Sequence, residues 1–444
     1  MSTHKSVLYT FFIAALFIGT LPLHAQSNID SPYSRYGYGT LDNHTIGASR
    51  SMGGIGYAIQ SGKQINIKNP ASYAAIDTLT FLCDFGVSLQ FDYMKEGSLK
   101  EHRTNWSFEY FALQFPLARW LATSIGVLPF STVGYDYTGG IKNGTVRQTG
   151  EGSINQAYIG LGAYLFKGFT LGVNVNYLFG EITNSSTSIS NIDATSIAGM
   201  LYGTIENCSF EGIIDATNAT VFDNTLNISD YRIDIGLQYA IRINEKNRLT
   251  LGAVYTPSKK LLGKGYISGG NYNTSSGNTS YFQNDTIKLK NGYSLPASYG
   301  VGISYTYDER LTIGADFTFQ SWSKSKFENS TSYFNNYLNA AIGAEFLPQT
   351  YSNKFFQSVR YRAGLSVGRS YPLVKSSTGN NDLWETGVTL GAGIPMKRNK
   401  SIINITFGYT NRRTTPTRLV TENEFKISVG LTFNEMWFYK SRLH

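Results

Sequence analysis

The chain has 444 residues with 45 glycines, 31 tyrosines and 27 phenylalanines, yet charged residues make up only 15% of it. A soluble protein carries about a quarter of its residues charged, so an ordinary soluble surface does not fit, and two lone cysteines, Cys83 and Cys208, do not make a disulfide framework. The net charge of +8 is spread over scattered basic residues, which argues against a nucleic-acid partner and reads as surface and lumen lining.

At the N-terminus, "MSTHKSVLYTFFIAALFIGTLPLHAQ" has a short start with Lys5, an apolar run from Val7 to Leu21, and Leu23-His24-Ala25 before Gln26. That is the pattern of a secretory signal peptide, expected to occupy residues 1–25. No second apolar run of helix length follows, which excludes helical membrane insertion but not a transmembrane β-barrel, where only alternate residues need be apolar. Residues 26–78 are rich in Gly and Ser with weak periodicity, and read as a plug or hatch segment preceding the strands. Its "MGGIGYA" has neither the preceding strand nor the crossover helix of a nucleotide fingerprint. Gly53, Gly54 and Gly56 are expected instead to serve tight turns and close backbone packing.

From residue 79 onward the apolar side chains alternate. "YRIDIGLQYAIRI" puts Tyr231, Ile233, Ile235, Leu237 and Tyr239 on one face, against Arg232, Asp234, Gln238 and Arg242 on the other. Such segments predict fourteen strands, near 79–93, 103–115, 120–137, 153–166, 169–183, 229–243, 248–261, 295–307, 310–322, 336–347, 358–371, 383–396, 402–410 and 423–433. Every second connection is short, including "PLAR", "KG" and "NEKN", whereas 185–228 and 263–294 are long and polar. Short turns at one end and long loops at the other mark a transmembrane barrel. The fold expected is all-β: an antiparallel barrel over 79–433 with an N-terminal plug in its lumen and a short periplasmic tail at 434–444.

In that barrel the apolar row faces lipid, with Tyr231 and Tyr239 near the interfaces. Arg232, Asp234, Arg242, Asp316, Arg360, Arg362 and Glu385 are expected to line the lumen. Pro129, inside the third strand in "SIGVLPFSTVG", cannot donate a ladder hydrogen bond and is expected to kink the wall and open a lateral gap.

"SMGGIGYAI" followed by "INIKNPASYAAID", with Asn69-Pro70-Ala71, resembles the plug of the long-chain fatty-acid transporter family, the FadL/TodX hydrophobe channels of outer membranes. "IGVLPFSTVGYDYTGG" and "LPASYGVGISYTYDERLTIGADFTFQSWS" extend the resemblance. It implies a fourteen-stranded barrel in the outer membrane, both termini in the periplasm, and passive uptake of a hydrophobic, fatty-acid-like small molecule with exit beside the kinked third strand. The partners implied are membrane lipids and that ligand, for a monomeric channel. Two alternatives remain open: a barrel scaffold serving envelope protein partners of a secretion system, and a general diffusion porin.

No catalytic residues, metal ligands or cofactors are expected. His4 and His24 leave with the signal peptide, and His44, His102 and His444 have no nucleophile or carboxylate at a motif spacing.

Overall fold

The computed structural model describes residues 31–141, 144–190, 218–273, 278–328, 330–349, 352, 354–376, 379–396 and 401–436. The signal peptide, Cys208 and His444 lie outside them. The strands are β1 (Thr40–Leu41), β2 (Thr80–Glu96), β3 (Leu99–Ala118), β4 (Leu121–Ile141), β5 (Gly144–Phe166), β6 (Phe169–Ser190), β7 (Asn218–Arg242), β8 (Asn247–Thr256), β9 (Lys259–Lys260) and β10 (Gly263–Asn273). They continue as β11 (Asn278–Lys288), β12 (Ser294–Leu295), β13 (Ser298–Tyr307), β14 (Leu311–Gln320), β15 (Tyr337–Phe346), β16 (Arg360–Ser376), β17 (Gly379–Pro395), β18 (Ile402–Thr415) and β19 (Thr421–Met436).

Fourteen of these, β2–β8 and β13–β19, pair antiparallel in sequence order. The last meets the first from Thr421↔Lys95 to Met436↔Thr80, which closes the barrel and removes the edges an open sheet would leave. The alternation sets the faces. Ile235 and Leu237 are each 39% exposed on the outside, while Gln238 between their neighbours is 1% exposed inside. A water-soluble sandwich would invert those values. Outward rings cluster near both ends of the wall: Phe166 and Phe169 stack at 4.7 Å by the short turns, and Tyr409 lies 4.9 Å from Phe425 towards the long loops.

Every predicted strand is present, but three expectations need correction. The segment 263–294, read as a polar loop, holds the β10–β11 hairpin, which pairs with an outer extension of β7 from Gly263↔Ile228 to Asn273↔Asn218. Its sequence lacks a sustained apolar face, so period-two reading had little to register. Likewise β6 and β7 run into the expected loop 185–228, whose apolar stretches "SIAGMLYG" and "FEGIIDA" lie outside the described residues. At the C-terminus β19 continues to Met436 rather than stopping at 433.

Residues 31–78 thread the lumen with little regular structure: a 3-10 turn (Pro32–Arg35), β1, a short helix (Gly47–Ser51) and a 3-10 turn (Pro70–Ala75). The segment begins at the long-loop end, where Ser31 N donates to Gly134 O at 3.1 Å. It then descends to rest on inward-facing glycines of the wall. A Cβ at Gly252 would lie 1.9 Å from Tyr57 O, one at Gly364 2.0 Å from Gly53 N, and one at Gly172 2.2 Å from Pro70 C. At Gly343 it would meet Met52 O at 2.3 Å, and at Gly236 the Asn69 Oδ1 at 2.1 Å. Plug backbone therefore touches wall glycines of β6, β8, β15 and β16, and the Asn69 side chain one of β7, an approach that only residues without side chains permit.

Gly252→Val should therefore lose folded barrel, by about 3 kcal/mol of overpacking. The readout is the heat-modifiable fraction on a gel. Gly408→Ala, whose new methyl meets nothing closer than 3.8 Å, should leave that fraction unchanged.

Candidate functional site

The plug motif explains itself locally. Asn69 caps the turn, its Oδ1 accepting from Ala71 N at 3.0 Å, and Pro70 follows where no N–H is needed. The Asn69 amide then donates to Tyr57 O at 2.7 Å and to Leu237 O of β7 at 3.0 Å, tying two plug segments to the wall. Gly53 and Gly54 adopt φ of +66° and +81°, the left-handed turn conformation.

Asp316 on β14 holds the next residues. It accepts from Gly56 N at 2.7 Å and Tyr57 N at 3.1 Å, and pairs with Lys68 at 3.2 Å. Lys68 also donates to Gly54 O at 2.6 Å and sits 4.3 Å from the Tyr57 ring centre. Irregular backbone inside a membrane barrel must find such partners, because lipid supplies none.

The remaining inward candidates divide. Arg232 and Asp234 lie 3.5 Å apart beside a small cavity of about 100 Å³, with the Arg232 guanidinium 5.2 Å from the Phe130 ring centre. Arg360 and Arg362 share Glu345 at 2.6 and 2.7 Å near the short-turn end, and Arg362 also donates to Asn404 at 2.7 Å. Glu385 reaches Arg412 at 3.8 Å and lines the larger cavity. Arg242 is the exception: its parity is as expected, but it ends β7 at the short-turn rim, exposed and opposite Arg248, and so does not line the lumen.

Pro129 stands where the wall changes. The β3–β4 ladder runs only from Ala118↔Leu121 to Phe111↔Val127, and the register of β4 against β5 shifts between Pro129 and Ser131. Beyond that point the N-terminal segment takes the place of β3 beside β4. Asp42 N donates to Phe130 O at 3.0 Å, and Thr40 and Leu41 pair with Thr132 and Ser131.

Behind this seam lies a cavity of about 640 Å³. Its lining includes Ser107, Phe108 and Glu109 from β3 and Pro129 and Ser131 from β4. Glu385, Arg412, Glu424 and Lys426 contribute from inward positions of β17–β19. Asn155 and Glu181 also line it, yet share parity with the lipid-facing Ile159, Leu161, Val173 and Val175. Residues of both faces of the sheet thus line one space.

Ion pairs cross that space. Arg50 of the plug binds Glu109 and stands 3.6 Å from Asp42, Lys426 lies 2.9 Å from Glu109, and Arg412 binds Glu422 and, at 2.7 Å, Glu424. Sequence reasoning missed most of these. Lys426 and Glu424 follow from the parity of "FKISVGLTF". Arg50 and Lys68 sit in aperiodic plug, and the bulge between Gly86 and Val87 turns both Glu109 and Tyr110 inward, which no strict alternation allows.

The family model described as BamG matches residues 7–444. The chain belongs to the BamG family. No curated protein matches the sequence. Among solved structures, the BamG-family fold is similar to a Pseudomonas aeruginosa FadL homologue, at 13% identity and TM-score 0.59, over 89% of this chain and 99% of the other. The Ralstonia pickettii toluene transporter TbuX is similar at 15% identity and TM-score 0.57, over 88% and 99% of the two chains. The P. putida toluene transporter TodX is similar at 15% identity and TM-score 0.57, over 90% and 100%. At such identities the likeness is one of fold. The expected resemblance to hydrophobe channels holds at that level, while the matching family carries a different label.

Asp316→Ala should free the plug, because it strands the buried Lys68 charge and two backbone N–H groups, at a cost of about 3–5 kcal/mol. In membrane-embedded protein, tryptic cleavage after Lys63 or Lys68 should accelerate while the barrel stays folded. Undiminished protection would show that Asp316 does not anchor the plug.

Proposed function

We propose that the chain is a plugged outer-membrane channel for passive uptake of hydrophobic small molecules, released sideways through the seam between β3 and β4. The observation that carries this reading is the interrupted ladder at Pro129 with a cavity behind it lined from both faces of the wall. The physical reason for a side exit is the cost of the alternative. Each CH₂ moved from hydrocarbon to water costs about 0.8 kcal/mol, so a ten-carbon chain delivered into aqueous space would face roughly 8 kcal/mol that a lateral path avoids. Two of the similar structures are those of the toluene transporters TbuX and TodX, which is consistent with the proposal.

A second reading, a barrel scaffold for envelope proteins, is favoured by one feature: the plug is built into the wall and ion pairs cross the space beside it. A general diffusion porin is disfavoured by the same plug. The scaffold reading requires stable co-purification with partner proteins and no co-isolated hydrophobe in native mass spectrometry.

Pro129→Val gives β4 back an N–H and a strand-favouring side chain at the seam. Uptake of a hydrophobe into proteoliposomes should fall about ten-fold, an increase of about 1.4 kcal/mol in the barrier, with heat-modifiable barrel unchanged. Wild-type uptake by a correctly assembled variant would contradict the lateral route.

A further inference from the structure

We infer that the outer face of β18, β19, β2 and β3 is a docking surface for a phosphate-bearing lipid of the leaflet at the long-loop end. The surface faces the bilayer rather than the lumen, so it goes beyond the uptake reading and does not depend on it.

The first ground is charge. Lys95 of β2 is in register with Lys100 of β3 on one side and Thr421 of β19 on the other. Arg413 of β18 follows the Arg412↔Glu422 pair, which brings it level with Thr421, and it is in register with Trp384 of β17. Met94 and Arg412, one residue away, point inward, so parity puts Lys95 and Arg413 on the lipid side. Lys95, Lys100 and Arg413 are all exposed, and none has an ion-pair partner among the described residues. Like charges directly opposite each other destabilise a sheet, and the surface holds nothing to offset them. Its outward positions, from this row down to Phe91 and Tyr409, include no carboxylate. Asp382, two residues from Trp384, is taken by Arg369 at 3.4 Å and by the Asn335 amide. The rim is not cationic throughout: on β6 the outward residue beyond the stacked Tyr177 and Phe179 is Glu181.

The second ground is the surface beneath the cations. Phe91, Tyr93, Tyr409, Asn423 and Phe425 line a groove on the outer face. The Tyr93 ring stands 5.8 Å from that of Phe425, edge to face. Asn423 Oδ1 accepts from the Tyr409 hydroxyl and from the Asn411 amide, each at 2.8 Å. Those polar groups are thus tied to one another, and ring surface is left for an acyl chain.

The third is height. The outward row of β2 from Phe81 to Phe91 covers about 33 Å along the strand, or about 25 Å of height at a tilt near 40°, which is the apolar band of a transmembrane barrel. Lys95 is four residues further on, about 10 Å higher by the same geometry. Its long side chain bends back to the headgroup layer. Apolar groove and cations are therefore spaced as the tail and phosphate of one lipid. Each cation near the bilayer surface strengthens attraction to an anionic lipid by about five-fold, so three allow up to about a hundred-fold.

The test is native mass spectrometry of the full-length mature protein in a non-ionic detergent, titrated with diphosphoryl lipid A or with phosphatidylcholine. Lipid A should form a one-to-one adduct at least ten-fold more tightly than phosphatidylcholine. Lys95→Gln/Lys100→Gln/Arg413→Gln should weaken that adduct ten-fold or more, with the heat-modifiable barrel unchanged. Arg119→Gln/Lys167→Gln/Lys246→Gln, which removes three exposed cations at the short-turn rim, should change it less than two-fold. Equal binding of the two lipids would overturn the inference. So would an adduct unmoved by the first triple substitution, or one weakened equally by both, which would make the attraction a matter of net charge. None of these outcomes bears on uptake, which the Pro129 variant tests separately.

Discussion

Contact between two backbones, with no side chain on the wall side, is the constraint on which the rest of the structure depends. Residues 52–71 can lie against the barrel only because Gly172, Gly252, Gly343 and Gly364 present bare main chain to plug backbone, and Gly236 to the Asn69 side chain. A segment so placed gives up water, so its irregular N–H and C=O groups need partners from the wall. Asp316, Gln238 and Ser304 supply them: Gln238 donates to Tyr57 O at 2.8 Å, and Ser304 to Ala58 O at 2.7 Å. Seat and satisfaction are thus two halves of one arrangement, and the plug belongs to the wall as much as any strand does.

A plug fixed in this way lies in the lumen beside the interrupted β3–β4 ladder. Past Pro129, β4 leaves β3 and takes hydrogen bonds from the N-terminal segment instead. The same segment that lies in the lumen therefore also completes the hydrogen bonding of β4 past Pro129. Apolar packing holds this shape from the other side, where Tyr38 of the plug meets Trp322, Phe327 and Phe334 within about 6 Å in a buried aromatic cluster.

How much of this is legible in sequence depends on whether the residues concerned obey a period. Strands such as the one from Tyr231 to Tyr239 do, because lipid on one face and polar lumen on the other impose opposite demands on neighbours. The β10–β11 hairpin has no such demand, and its alternation is faint. Pro129 and Asn69-Pro70-Ala71 stand out because proline and a capping asparagine have few local uses. The cations of the plug do not stand out: nothing around Arg50 or Lys68 tells that Glu109 or Asp316, distant in sequence, will receive them. Arg242 shows the converse limit, since parity gives a residue's face but not its height along the barrel. The glycines of the wall are visible in the sequence, but what rests on them is a property of the folded chain alone.

The account is tested most directly by hydrogen–deuterium exchange on the protein in a bilayer, read separately for the plug segment 47–76 and for the barrel strands. If plug backbone is seated on wall backbone, the plug amides that bond to the wall, those of Gly53, Gly56 and Tyr57 among them, exchange as slowly as the strands that hold them. Rapid exchange across the plug while the barrel stays protected would contradict it.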